Sequence, residues 1–112
     1  MPEEVKEYSI SITHEDILDA TMVFRRERRK RKRMVGFALS YRAKIEGRWQ
    51  EVIRYDTTHG YLHVQRFWRS SKPIPLKEEE WMPLDYLFKE YKRDIVENWE
   101  RYRSLVERKL RR

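Results

Sequence analysis

From Val5 to Thr13 the chain alternates, with Tyr8, Ile10 and Ile12 set against Ser9, Ser11 and Thr13. That period of two is the mark of a half-buried β-strand. At Thr13 the rhythm changes. Ile17, Ala20, Thr21 and Phe24 recur at helical spacing, and Thr13 with Asp16 three residues on makes an approximate capping box, so the pattern predicts a short helix here. Val35, Phe37, Leu39, Tyr41 and Ala43 then alternate with Gly36, Ala38, Ser40 and Arg42, a strand ended by the turn signal Ile45-Glu46-Gly47. Another strand runs from Trp49 to Asp56. A loop Thr57-Thr58-His59-Gly60 separates it from a strand over Tyr61 to Arg69, before Pro73 and Pro75. After Pro83, Leu84, Leu87, Phe88, Tyr91, Ile95, Trp99, Tyr102 and Val106 follow the 3.6-residue period of a long amphipathic helix. At about 1.5 Å per residue that helix is about 40 Å long, roughly twice a typical strand, and its basic end from Arg101 to Arg112 is expected to overhang the sheet.

Side-chain pairing suggests a register, because a slip of one residue exchanges the two faces of a sheet. Placing Asp56 opposite Tyr61 pairs Tyr55 with Leu62, Ile53 with Val64, Glu51 with Arg66 and Trp49 with Trp68. With Gly47 as the left-handed residue of a three-residue hairpin, Phe37 meets Tyr55, Leu39 meets Ile53 and Ala43 meets Trp49 on that same face. A two-residue turn at Glu46-Gly47 is disfavoured, since it sets the apolar residues against Gln50, Val52 and Arg54. The expected fold is α+β. A three- to four-stranded antiparallel sheet packs on the long C-terminal helix, with a shorter N-terminal helix, as a single domain over residues 1–112.

Charge narrows the partner. Of 112 residues, 26 are Lys or Arg and 19 Asp or Glu, a net +7, while 39% are apolar and 13% aromatic, enough for a core. Eight of the positive charges fall in one run, Arg25, Arg26, Arg28, Arg29, Lys30, Arg31, Lys32 and Arg33, interrupted only by Glu27. Such a run stays out of any core, as a solvated helix end or a basic loop. Like charges so close repel, and phosphate relieves that repulsion while releasing counterions, so nucleic acid is the expected partner, RNA ahead of DNA. A homodimer through the overhanging helix is the alternative. The chain has no cysteine, which excludes disulfides and thiolate sites, and no apolar run of membrane-spanning length. Its acidic start, Met1-Pro2-Glu3-Glu4, is unlike a signal peptide, so a cytoplasmic protein is expected. The abundance of Lys, Arg and Glu with three Gly has a thermophile cast.

The face opposite the apolar one carries Gln50, Val52, Arg54 and Asp56 beside Tyr61, His63, Gln65 and Phe67, next to the small Gly36, Ala38 and Ser40. Here Arg54, Asp56, Tyr61 and His63 converge on a shallow shelf, with His59 close by. One account is catalytic: Arg54 holds phosphate oxygens and His63 or His59 moves protons. The other is plain sheet structure, an Arg54–Asp56 ion pair with His63 satisfied beside it. His59 and His63 lie four apart on loop and strand rather than on one helix face, so no metal and no cofactor are expected.

The segment Arg54-Tyr55-Asp56-Thr57-Thr58-His59-Gly60-Tyr61-Leu62-His63, with the Val35-to-Leu39 strand, Gly47 and Trp49 before it and Asn98-Trp99-Glu100 after, resembles a family of small uncharacterised prokaryotic proteins of archaeal type. Its pattern is RYD-x-x-HG-x-x-H. That family is in turn similar to the TumE-like toxins of toxin-antitoxin pairs, although Ser70 to Glu80 holds no histidine where those toxins carry a His-rich tail. The resemblance implies the sheet-plus-helix architecture. It also implies, as an alternative to simple binding, a metal-independent ribonuclease activity.

Overall fold

The computed structural model describes residues 3–112. It is α+β. Six antiparallel strands follow one another in sequence order across a single sheet: β1 (Glu3–Thr13), β2 (Asp16–Arg25), β3 (Arg33–Ile45), β4 (Arg48–Asp56), β5 (His63–Arg66) and β6 (Ile74–Pro75). The helix α1 (Leu84–Leu110) lies on one face. The sheet thus has six strands, not three or four. No helix of the described residues is long and apolar enough to cross a membrane.

The predicted N-terminal helix is instead β2. Thr13 and Asp16 do interact, but to close a tight β1–β2 turn: the Thr13 hydroxyl donates to Asp16, and Glu15 N–H donates to the Thr13 oxygen at 3.0 Å. Ile17, Ala20, Thr21 and Phe24 fit a helical period, yet Asp16, Leu18, Ala20, Met22 and Phe24 fit a period of two equally well. Ladders to β1 on one side and β3 on the other decide between them. Leu18 and Ala20 are buried on the helix-facing side.

The β3–β4 connection is the two-residue turn that side-chain pairing disfavours. Glu46 and Gly47 both have positive φ, 52° and 78°, as a type I′ turn requires. Near the turn the apolar residues do meet the unwelcome partners, with Ala43 opposite Gln50. A bulge then changes the register between Tyr41 and Arg42: Arg42 pairs with Glu51 but Tyr41 with Ile53, leaving Val52 as the extra residue. Beyond it Leu39 faces Tyr55, and the apolar face is restored. The β4–β5 pairing is shifted by two from the expected one, with Tyr55 opposite Val64 and Asp56 opposite His63. A shift of two preserves the faces. β5 covers only His63–Arg66 of the expected Tyr61-to-Arg69 strand.

The helix follows the predicted stripe, burying Leu87, Phe88, Tyr91, Ile95, Tyr102 and Val106. Phe88 meets Phe37 edge-on, Tyr91 stacks on Tyr55 with centroids 4.1 Å apart, and Tyr102 stacks on Trp68 at 5.3 Å. The expected overhang is absent. β3 has 13 residues, about 43 Å at roughly 3.3 Å each, so the sheet is as long as the helix. Val106 is buried, and Arg103 near the C-terminal end hydrogen-bonds Asp16 and the Lys44 carbonyl.

Candidate functional site

The basic run is neither a helix end nor part of the core. Arg25 closes β2, Arg33 opens β3, and the residues between form the hairpin loop, with Lys30 N–H donating to the Glu27 carbonyl at 3.0 Å. Arg28 sits at φ 52°, a left-handed conformation that bends the tip. The flanks are neutralised: Arg25 pairs with Glu3 at 3.2 Å, Lys32 with Glu4 at 2.9 Å and Arg33 with Glu27 at 3.8 Å. The tip is not. Arg26, Arg28, Arg29, Lys30 and Arg31 are exposed, and none of them forms an ion pair among the described residues. Arg31, Lys32 and Arg33 line one groove with Met82, Pro83 and Leu84, which sets the loop beside the N-terminal end of α1.

The opposite face of the sheet assembles the shelf. Asp56 and His63 are cross-strand partners, and Ala38 and Ser40 lie opposite Asp56 and Arg54. The His63 ring is 5.0 Å from Tyr61 and 6.0 Å from His59, so the two imidazoles and the phenol do come together. His59, at φ 70°, and Gly60, at 82°, both take the left-handed conformation that makes the loop turn sharply. His63 Nδ1 lies 3.2 Å from the Tyr61 carbonyl oxygen. If that nitrogen carries the proton, Nε2 is the ring's acceptor.

Other features argue against an open catalytic site. His63 is only 2% exposed. Arg54 Nε donates to Asp56 at 2.8 Å, and its Nη1 lies 3.5 Å from Glu51, so the cation expected to hold phosphate already has two carboxylates. The bulge at Val52 is what turns Glu51 into this cluster, where it also accepts from Ser40 at 2.9 Å. Pairing arithmetic without a bulge cannot place Glu51 there. Asp56 accepts from Arg54, from Thr58 N–H at 2.6 Å and from the Thr58 hydroxyl, and hydrogen-bonds neither histidine. Burial raises its pKa, but the Thr58 and Arg54 bonds outweigh that and hold it below the ordinary carboxylate value. No group of three His, Asp or Glu among the described residues is placed to hold a metal ion.

Two further polar clusters join the helix to the sheet. Asp16, 3% exposed, accepts from Thr13, from the Tyr41 hydroxyl at 2.6 Å and from Arg103 at 2.9 Å. Asp94 accepts from the hydroxyls of Tyr55 at 2.9 Å and Tyr102 at 2.8 Å. Burial, reinforced by Asp94, pushes the Tyr102 phenol up to about 12. Both clusters tie α1 to the sheet. In the sequence they show only as a carboxylate on an otherwise apolar face, with Thr13 three residues before Asp16; neither pattern names Tyr41, Arg103, Tyr55 or Tyr102 as partners.

Over residues 2–112 the chain matches the family model of a domain of unknown function, DUF7718. It belongs to that family. The DUF7718 match takes in both the basic loop and the shelf, and agrees with the expectation of an uncharacterised family. No curated protein and no solved structure matches the chain.

Proposed function

We propose that this DUF7718 chain binds nucleic acid, RNA ahead of DNA, as a non-catalytic module acting through the Arg25–Arg33 loop and the basic end of α1. One observation carries the reading: the five cations of the loop tip are held together at the end of a hairpin, exposed and without carboxylate partners among the described residues, while the flanking cations are paired. Folding concentrates charge of one sign here and leaves its neutralisation to something else. Phosphate does this with release of counterions. RNA comes first because the one α-helix among the described residues is packed along the sheet and is not free to enter a DNA major groove.

A second reading follows from the shelf and the resemblance to TumE-like toxins: metal-independent cleavage of RNA by His63 and His59 with Tyr61, Arg54 and Asp56. The 6.0 Å approach of the two imidazole rings favours it. The neutralised Arg54 and the buried His63 weigh against it.

Purified protein incubated with labelled single-stranded RNA and duplex DNA across a salt series, scored for retention and cleavage, tests both. Intact RNA whose retention falls steeply with salt, and falls further when Arg28, Arg29, Lys30 and Arg31 become Gln, supports the binding module. Cleavage that disappears in His59→Ala and His63→Gln promotes the shelf to an active site. No retention even at low salt removes the binding reading.

A further inference from the structure

At the end of α1 away from the basic loop lies a second basic surface, built from two elements. Arg66 and Arg69, at the end of β5 and just beyond it, and Arg101 and Arg112 from the helix line one open cleft of about 930 Å³, with Trp68 among them. The Arg101 guanidinium sits 5.0 Å from the Tyr102 ring, and Tyr102 is stacked on Trp68 with ring planes 11° apart. None of the four arginines makes an ion pair among the described residues; the helix's ion pairs are made by Arg93 and Arg103. Asp94, the carboxylate that Tyr102 does reach, is taken up by Tyr55, Tyr102 and Asn98.

The helix macrodipole accounts for part of this, since cations near a helix C-terminus are favourable. It does not account for Arg66 and Arg69, which come from the sheet side. Four guanidinium groups around an aromatic stack, none in an ion pair among the described residues, make a site suited to an anion. Guanidinium forks bind phosphate bidentately, and an indole offers a base a stacking surface. The cleft lies within the range of small-ligand pockets, about 300–1,000 Å³, which suits one or two unpaired nucleotides rather than a duplex.

We infer that this cleft is a single-stranded RNA site, in which Trp68 supports an unpaired base and the four arginines take the adjoining phosphates. The inference rests on the nucleic-acid reading and extends it. Since the basic loop adjoins the other end of a 27-residue helix, an RNA strand held at both sites spans about 40 Å.

The test measures binding of an oligouridylate across a salt series to wild type, to Arg69→Ala/Arg112→Ala, and to the loop variant Arg28→Gln/Arg29→Gln/Lys30→Gln/Arg31→Gln. Arg69 and Arg112 are exposed, so the fold is expected to survive, which an unchanged thermal transition checks. Losing the two cleft cations should weaken binding about tenfold at low salt. It should also reduce the slope of log K against log salt by about 1.4, at roughly 0.7 per single-strand phosphate contact. A 5-bromouridine oligonucleotide should crosslink at Trp68 rather than at Trp81, the most exposed tryptophan. Unchanged affinity in the cleft variant, with binding lost in the loop variant, overturns the cleft and leaves the module reading intact. Crosslinking confined to Trp81 or Trp49 overturns it too. Absence of binding by wild type overturns both.

Discussion

Arg103, on the C-terminal part of α1, places Nη1 2.9 Å from Oδ1 of Asp16 at the start of β2, and the Tyr41 hydroxyl donates to that oxygen from 2.6 Å. The same guanidinium donates through Nη2 to the Lys44 carbonyl at 2.8 Å. One side chain therefore ties the helix to both the β1–β2 and the β3–β4 turn regions. Asp16 is buried and Arg103 half-buried, so removing the arginine leaves a buried carboxylate uncompensated, at a cost of about 3 kcal/mol, the low end for buried pairs. Arg103→Met is expected to lose about that much in urea unfolding at pH 7. The double variant Arg103→Met/Asp16→Asn should lose less than the sum of the two single changes. Additive losses would mean that the two residues act independently.

Acid should unfold the protein through its aspartates. Burial tends to raise the pKa of Asp16, but the bonds from Thr13, Tyr41 and Arg103 outweigh it and hold the group below its ordinary value. Asp56 is held low by Thr58 and Arg54, and Asp19 by Arg42 and Ser9, again against burial. A depressed folded-state pKa means that the unfolded chain binds the proton more readily. The stabilisation is complete above the unfolded value of about 4 and is lost as pH falls through the folded values. Stability should stay level between about pH 7 and pH 5 and then decline. In Asp16→Asn the decline below about pH 4 should be shallower; an equal slope would remove Asp16 from the acid transition.

The turn residues and the apolar alternation were each legible in the sequence, but their combination was not. Gly47 announced a hairpin, and Phe37, Leu39, Tyr55 and Ile53 announced one buried face. Reconciling them needed the extra residue at Val52, and a bulge has no sequence signature comparable to a turn glycine. That residues 16–25 form a strand rather than the expected helix has a related cause. Over ten residues rich in apolar side chains, periods of 2 and 3.6 select overlapping sets, and only the neighbouring strands choose between them. The long helix was legible because its stripe persists for many turns. The shelf was half legible for the same reasons: a shift of two kept Arg54, Asp56 and His63 on one face, while the bulge brought in Glu51 unannounced.

The Glu46-Gly47 turn makes its own prediction. Glu46 is a side-chain-bearing residue at φ 52°, where type I′ turns favour asparagine. Glu46→Asn should stabilise the protein by about 0.5 kcal/mol, since the left-handed conformation costs ordinary residues roughly 1–2 kcal/mol and Asn less. Gly47 has φ 78° and open space where a Cβ would lie. Gly47→Ala should therefore cost about 1 kcal/mol from backbone conformation alone. Thermal unfolding of the two variants checks this. A neutral Gly47→Ala would mean that the hairpin closes through a different turn.

Tyr55 and Tyr91 stack with ring planes 3° apart, yet their hydroxyls stand in opposite circumstances. The Tyr55 hydroxyl donates to Asp94 at 2.9 Å, whereas the Tyr91 hydroxyl is buried with no acceptor within hydrogen-bond distance among the described residues. Burial pushes both phenols up, with Asp94 adding to it at Tyr55 and Glu79 at Tyr91. A bond to a charged acceptor contributes to stability, while a buried orphan donor is a cost that deletion removes. Tyr55→Phe should therefore cost about 1 kcal/mol, tempered because Asp94 keeps Tyr102 and Asn98. Tyr91→Phe keeps the ring stack and should be neutral or slightly stabilising. Equilibrium unfolding of the pair decides it: a loss above about 1 kcal/mol in Tyr91→Phe would show that this hydroxyl finds an acceptor in solution, with Glu79 the first to examine by a double-mutant cycle.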